Sequence, residues 1–208
     1  MGVKDHATLA RAADLGVAMQ LTNICRDVGE DARAGRLYLP RDLMQAAGMD
    51  PDAFVRNPTP SAQLTHVLKQ VLAEAERRYE LADEGIRQLP RSCRPGILAA
   101  RRLYAEIGHT VAHNDYDSIN QRAVVSRARK GQILIGLIRG PAAAPEHMLE
   151  PCAAENQFLL AAVPHTEDWQ RPNQPRHFSA NPAWMIELFM VMKRRDEIAI
   201  NSRPHKRD

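Results

Sequence analysis

Four side chains in one short stretch carry oxygen donors at helical spacing: Gln20, Asn23, Asp27 and Asp31. On an α-helix at about 100° per residue they fall within an arc of about 80°. Asp27 and Asp31 are one turn apart, with Cβ atoms about 5–6 Å from each other, and like charges so placed are destabilising unless something cationic neutralises them. A set of oxygen donors selects a hard cation. Mg²⁺ keeps several waters and is shared with substrate phosphates, so two carboxylates and an amide are sufficient protein ligands. A solvated helix end would also collect Asp, Glu and Arg on its polar face. The amides of Gln20 and Asn23, set among apolar neighbours, argue for more than solvation. From spacing alone both readings stand.

Such a strip needs a rigid carrier. Residues from Asp5 to about Asp31 place Leu9, Ala12, Ala13, Leu15, Met19 and Ile24 at near-helical spacing. A short helix is expected over Arg41–Ala47, stopped by Gly48, and another begins at Pro51 behind the N-cap Asp50. Ser61 should cap a long helix whose apolar stripe runs Leu64, Val67, Leu68, Val71, Leu72, Ala75, Tyr79, Ala82, Ile86 and Leu89. Gly96 to about Asn114 reads as helical. Asn120 to Ile138 reads as a last helix of the body, basic in its first half and apolar in its second. No strand of convincing alternation is present, so the fold class is all-α, with long helices packed as a bundle.

The segment QLTNICRDVGEDARAGRLYLP, residues 20–40, is similar to the second aspartate-rich motif of the squalene/phytoene synthase family. The resemblance continues through GVKD, DPDAF, QLPRSCRPGI, YAEIG and RAVVSRARKGQ, and covers roughly Met1 to Gly140. Its details look most like bacterial phytoene synthases of carotenoid pathways. The resemblance implies an isoprenoid synthase-type helical bundle and a head-to-head condensation of two geranylgeranyl diphosphates through a cyclopropyl diphosphate. It implies that Asn23, Asp27 and Asp31 hold Mg²⁺, with Mn²⁺ as a substitute, and that Asp27 and Asp31 are the catalytic carboxylates. Gln20, Arg26, Arg36, Tyr38, Tyr116, Arg122 and Lys130 become candidate contacts for the substrate diphosphate. The family carries two aspartate-rich motifs, and only the second is recognisable here. The bundle is therefore expected to lack its N-terminal half, and the chain alone to be inactive. A squalene or presqualene diphosphate synthase is the neighbouring enzymatic reading; a non-catalytic helical binding module is the reading from another class.

Composition sets the bounds. The chain has 208 residues, a net charge of +3, 25% charged and 44% hydrophobic residues, enough for one sizeable core. Nucleic-acid binding is not expected from so small a basic excess. Aromatic residues are 5%, which disfavours base-stacking surfaces. Cys25, Cys93 and Cys152 show no CxxC spacing, so a reducing, cytoplasmic setting is expected. A lipid-like substrate is compatible with peripheral association at the inner membrane, and no anchor is visible. All 11 glycines lie at or before Gly140, while seven of the 14 prolines lie between Pro141 and Pro182. That shift divides the chain into a body at 1–140, a proline-rich irregular segment at 141–181, and a helix with a tail at 182–208. Three other signals read as structural. The pairs Glu76/Glu80 and Glu80/Glu84 lie among arginines on an exposed face. His109 and His113 mark a polar helix end. Cys25 is a buried thiol. The cluster Arg122, Arg127, Arg129 and Lys130 is open to a prenyl diphosphate, an anionic membrane surface, nucleic acid or plain solvation.

Overall fold

The computed structural model describes residues 5–137, 151 and 156–161. The order is α1 His6–Arg33, α2 Arg41–Ala46, α3 Pro51–Arg56, α4 Ala62–Gln88, α5 Arg94–His113, α6 Arg127–Gly136 and α7 Gln157–Ala161. Among the described residues there is no strand, and no helix is long and apolar enough to cross a membrane. The helix expected from Pro182 and most of the proline-rich segment lie outside the described residues.

Caps written in the sequence set the helix starts. The Asp5 carboxylate accepts from the Thr8 amide at 2.9 Å and opens α1. Asp50 accepts from the amides of Asp52 and Ala53, with Pro51 as the first residue of α3. Ser61 Oγ accepts from the Leu64 amide at 3.1 Å and opens α4. Each such cap contributes about 1 kcal/mol. Gly35 and Gly48 take positive φ angles of 72° and 78°, which let the chain turn away after α1 and α2.

α1 and α4 form the spine, and α5 lies against both. One core cluster joins Cys25, Val28 and Ala32 of α1 to Leu64, Val67, Leu68 and Val71 of α4, closed by Leu39, Met44, Phe54 and Ile119. Each fully buried leucine or valine there is worth about 1.5–3 kcal/mol. A second cluster packs the Tyr79 ring of α4 among the alanines Ala18 of α1, Ala75 of α4 and Ala105 of α5. Inside it, Tyr79 Oη lies 3.0 Å from Thr22 Oγ1, which donates to the Ala18 carbonyl. This buried bond fixes the rotation of α1 against α4 one residue before Asn23.

Burial pushes the Tyr79 phenol up to about 12 from 10.0, against the opposing pull of Thr22 and Arg101. The folded state then keeps a proton that the unfolded chain has already lost. This contribution is complete below pH 10 and disappears as the pH rises through about 12. Tyr79→Phe is expected to cost about 1 kcal/mol at neutral pH. It should also flatten the alkaline decline of the urea midpoint between pH 10 and 12. An unchanged alkaline slope would remove Tyr79 as its source.

Two expectations are corrected. The last helix of the body begins at Arg127, behind the cap Ser126, rather than at Asn120. Residues 121–126 are not helical: Ala123 and Val125 are buried while Val124 between them is 63% exposed, an alternation that an extended chain lying on a core produces. The second concerns Glu84, which is 4% exposed and so does not belong to a solvated face. Glu76 faces Arg101 and His109 instead. A smaller difference is that α5 starts at Arg94, because Pro95 is accommodated in a first helical turn.

Candidate functional site

All four oxygen-donor residues lie on α1, and their surroundings differ. Gln20 is exposed and Asn23 is partly buried. The Asn23 side-chain oxygen is buried and accepts no hydrogen bond. A buried acceptor without a donor forfeits about 1–3 kcal/mol, so it is a place where a ligand would be welcome. One turn on, Asp27 accepts from Arg26 Nε at 2.8 Å and Arg26 Nη2 at 2.6 Å. It also accepts from Arg122 Nε at 3.0 Å. Burial works against a charge on Asp27, but the bonds from Arg26 and then Arg122 outweigh it and hold the carboxyl below the usual range. Arg26 is held charged by the same pairing, again against burial. Asp31 accepts from Arg36 Nη2 at 3.0 Å and Nε at 3.2 Å.

The loop after α5 delivers Arg122. Asp115 and Tyr116 both take positive φ, 53° and 61°, reversing the chain towards α1. The Gly29 amide donates to the Ser118 carbonyl at 3.1 Å, and Arg33 Nη1 donates to the Ile119 carbonyl at 3.1 Å. Arg122 then lies over Asp27 and within 3.3 Å of Glu30 Oε2. Tyr116 packs against the core, with Lys69 Nζ of α4 at 5.2 Å from its ring centroid. A small pocket is lined by Ile24, Val28, Asp31, Arg36, Leu37, Tyr38 and Leu39. Tyr38 is 53% exposed. Lys130 is in the first turn of α6, partly buried.

The structure thus gathers Arg26, Arg36 and Arg122 around Asp27 and Asp31. It divides the basic cluster of the sequence, because Arg129 turns to Glu106 at 2.7 Å. His109 is exposed and within 3.8 Å of both Glu76 and Glu106. Among the described residues no three His, Cys, Asp or Glu side chains converge as a protein-only metal cage would require. Two carboxylates and the unpartnered amide oxygen of Asn23 do fit a cation that takes its remaining ligands from water and phosphate. Cys25 is fully buried, and burial pushes its thiol up to about 12, an inert structural cysteine.

Sequence reasoning missed Gly29, Glu30, Arg33 and Lys69. Gly29 and Glu30 lie within the motif, and a glycine in mid-helix is itself a signal of close approach. Lys69 lies 47 positions before Tyr116 and carries no local pattern that pairs them.

Residues 1–129 match the family model described as squalene/phytoene synthase. The phytoene synthase of Rhodobacter capsulatus is 52% identical over 130 residues, covering 62% of this chain and 38% of that protein. That of Cereibacter sphaeroides is 49% identical over 130 residues, covering 62% and 37%. A crystal structure of a dehydrosqualene synthase in complex with ligand superimposes with a TM-score of 0.55 at 33% identity, covering 62% of this chain and 45% of that one. The chain spans about two-fifths of the length of the curated relatives named.

Proposed function

Because this chain belongs to the squalene/phytoene synthase family, we propose that its α1 strip is the Mg²⁺-assisted diphosphate-binding face of a phytoene synthase-type prenyltransferase. The reaction would be the head-to-head joining of two geranylgeranyl diphosphates through a cyclopropyl diphosphate, in carotenoid biosynthesis. The observation that carries this reading is the pairing of Asp27 and Asp31 with three arginines beside the unpartnered Asn23 oxygen. Carboxylates would hold the cation and guanidiniums the anion, so one ligand, a metal diphosphate, satisfies both sets. The curated relatives named above are phytoene synthases, and that supports geranylgeranyl diphosphate as the substrate.

Asn23, Asp27 and Asp31 would hold Mg²⁺, or Mn²⁺ in its place. Bound there, the cation would supply neutralisation of the charge that builds on the departing diphosphate. Arg26, Arg36, Arg122 and Lys130 orient that anion, with Gln20, Tyr38 and Tyr116 at its margins. Asp27 and Asp31 form the one DxxxD spacing in the 208 residues. Two substrate diphosphates need two such sites in the family pattern. We therefore propose that these 208 residues bind a metal diphosphate but do not by themselves complete the condensation.

The test is calorimetric titration of the 208-residue protein with preformed magnesium pyrophosphate. Binding is expected, and Asp27→Asn or Asp31→Asn should weaken it at least about tenfold. Equal binding by wild type and both variants would refute the site. Incubation with Mg²⁺ and geranylgeranyl diphosphate should yield no phytoene, and its appearance would overturn the second part.

A further inference from the structure

The segment from Asp115 to Val125 is fastened to α1 at three points of different character. Two are bonds to its own backbone, from Gly29 to Ser118 and from Arg33 to Ile119, and neither involves a carboxylate of the strip. The third is Arg122, whose Nε shares Asp27 Oδ1 at 3.0 Å and Glu30 Oε2 at 3.3 Å. Arg26 and Arg36 also pair with the strip, but from positions one and five residues away on α1 and just past its end. They travel with their carboxylates. Arg122 comes from 95 residues away on a separate element, so its bond to Asp27 breaks without unwinding α1.

We propose that Arg122 is a coupling residue, which Asp27 exchanges for a divalent cation and which then turns to the accompanying diphosphate. This rests on the reading of the strip given above. A divalent cation seated on Asp27 takes the oxygen lone pairs that Arg122 now uses and faces the positive charge of its guanidinium. A diphosphate arriving alone must win Arg122 from Asp27 and lies beside bare carboxylates. When the two arrive together, cation meets carboxylate and guanidinium meets phosphate, and neither cost remains. Cation and anion affinities are then mutually enhancing by the same factor, as linkage requires. Arg122 is thus a positioning residue whose removal should act with opposite signs on the two ligands.

Two titrations on the full 208-residue chain test this: Mn²⁺ alone, followed by electron paramagnetic resonance of the free ion, and preformed magnesium pyrophosphate, followed by calorimetry. In Arg122→Gln, Mn²⁺ alone should bind about fivefold more tightly, and magnesium pyrophosphate about tenfold more weakly. Arg122→Lys keeps the charge and should recover part of the pyrophosphate affinity and part of the Mn²⁺ competition. Weakening of both ligands in Arg122→Gln would mark a merely structural contact and overturn the proposal. So would an unchanged Mn²⁺ affinity. Asp27→Asn separates the two levels: if it alters neither titration, the strip is not the binding face and the underlying reading fails. If it abolishes both while Arg122→Gln is silent, only the coupling fails.

Discussion

Gly29→Ala is expected to lower the stability of the protein by about 2–3 kcal/mol and to lift Arg122 away from Asp27. A Cβ at Gly29 would stand 2.7 Å from the Ser118 carbonyl oxygen, 2.8 Å from that of Ile119 and 2.9 Å from the Ile119 Cα. All three are backbone atoms, so no rotamer change relieves them. The loop that owns them has little slack, since Asp115 and Tyr116 already hold left-handed backbone that costs about 1–3 kcal/mol at each non-glycine residue. The loop must therefore retreat, and the bond from the Gly29 amide to Ser118 goes with it. Gly16 is the internal control. It sits on the same helix, and a Cβ there meets nothing within 4 Å. Gly16→Ala should be neutral, or stabilising by up to about 1 kcal/mol through helix propensity. Urea midpoints at equal slopes give both values. A Gly29→Ala midpoint equal to that of wild type would show that the loop does not rest on α1.

Asp14→Leu should cost more, about 3–5 kcal/mol. Asp14 Oδ2 lies 3.0 Å from Arg11 Nε, and both side chains are fully buried. Its other oxygen accepts from Arg78 Nη1 of α4 at 2.7 Å. The carboxylate is thus shared by two guanidiniums at the α1–α4 interface, in a medium where a charge stripped of its counter-ion is expensive. Gly85 belongs to the same arrangement, because a Cβ there would run into Arg11 Cβ. Deleting Asp14 alone leaves the two arginines without the anion between them, although Arg78 keeps Glu74 at 2.6 Å. The double variant Arg11→Met/Asp14→Leu removes the buried pair as a unit and should lie closer to wild type than Asp14→Leu does. Thermal or urea unfolding of the three proteins gives the order. If Asp14→Leu falls within about 1 kcal/mol of wild type, the pair is not the desolvated ion pair that the structure shows.

Much of this protein is legible along the chain because its signals are local. Caps at Asp5, Asp50 and Ser61, the apolar stripe of α4 and the i, i+3, i+7, i+11 register of the oxygen donors depend on neighbours within one or two helical turns. The family, too, is readable from the run at residues 20–40, which lies within the matched residues 1–129. Elsewhere packing overrides local preference. Residues 121–126 have a helix-compatible composition, yet they lie extended because Ala123 and Val125 find a core to cover. Arg11, Asp14 and Glu84 look like ordinary surface charges in sequence, and the contact of α1 with α4 buries all three.

The sequence by itself determined an all-helical bundle, the carrier helix α1 and the face on which Gln20, Asn23, Asp27 and Asp31 align, because helix geometry alone maps spacing onto direction. Only the tertiary structure decided what meets that face. It brought Arg122 across 95 residues to Asp27, set Lys69 on Tyr116 and used the missing side chain of Gly29 to let a loop touch the helix. These are contacts between distant segments, fixed by steric fit and by the pairing of charges. Such terms have no period along the chain, so no local pattern announces them.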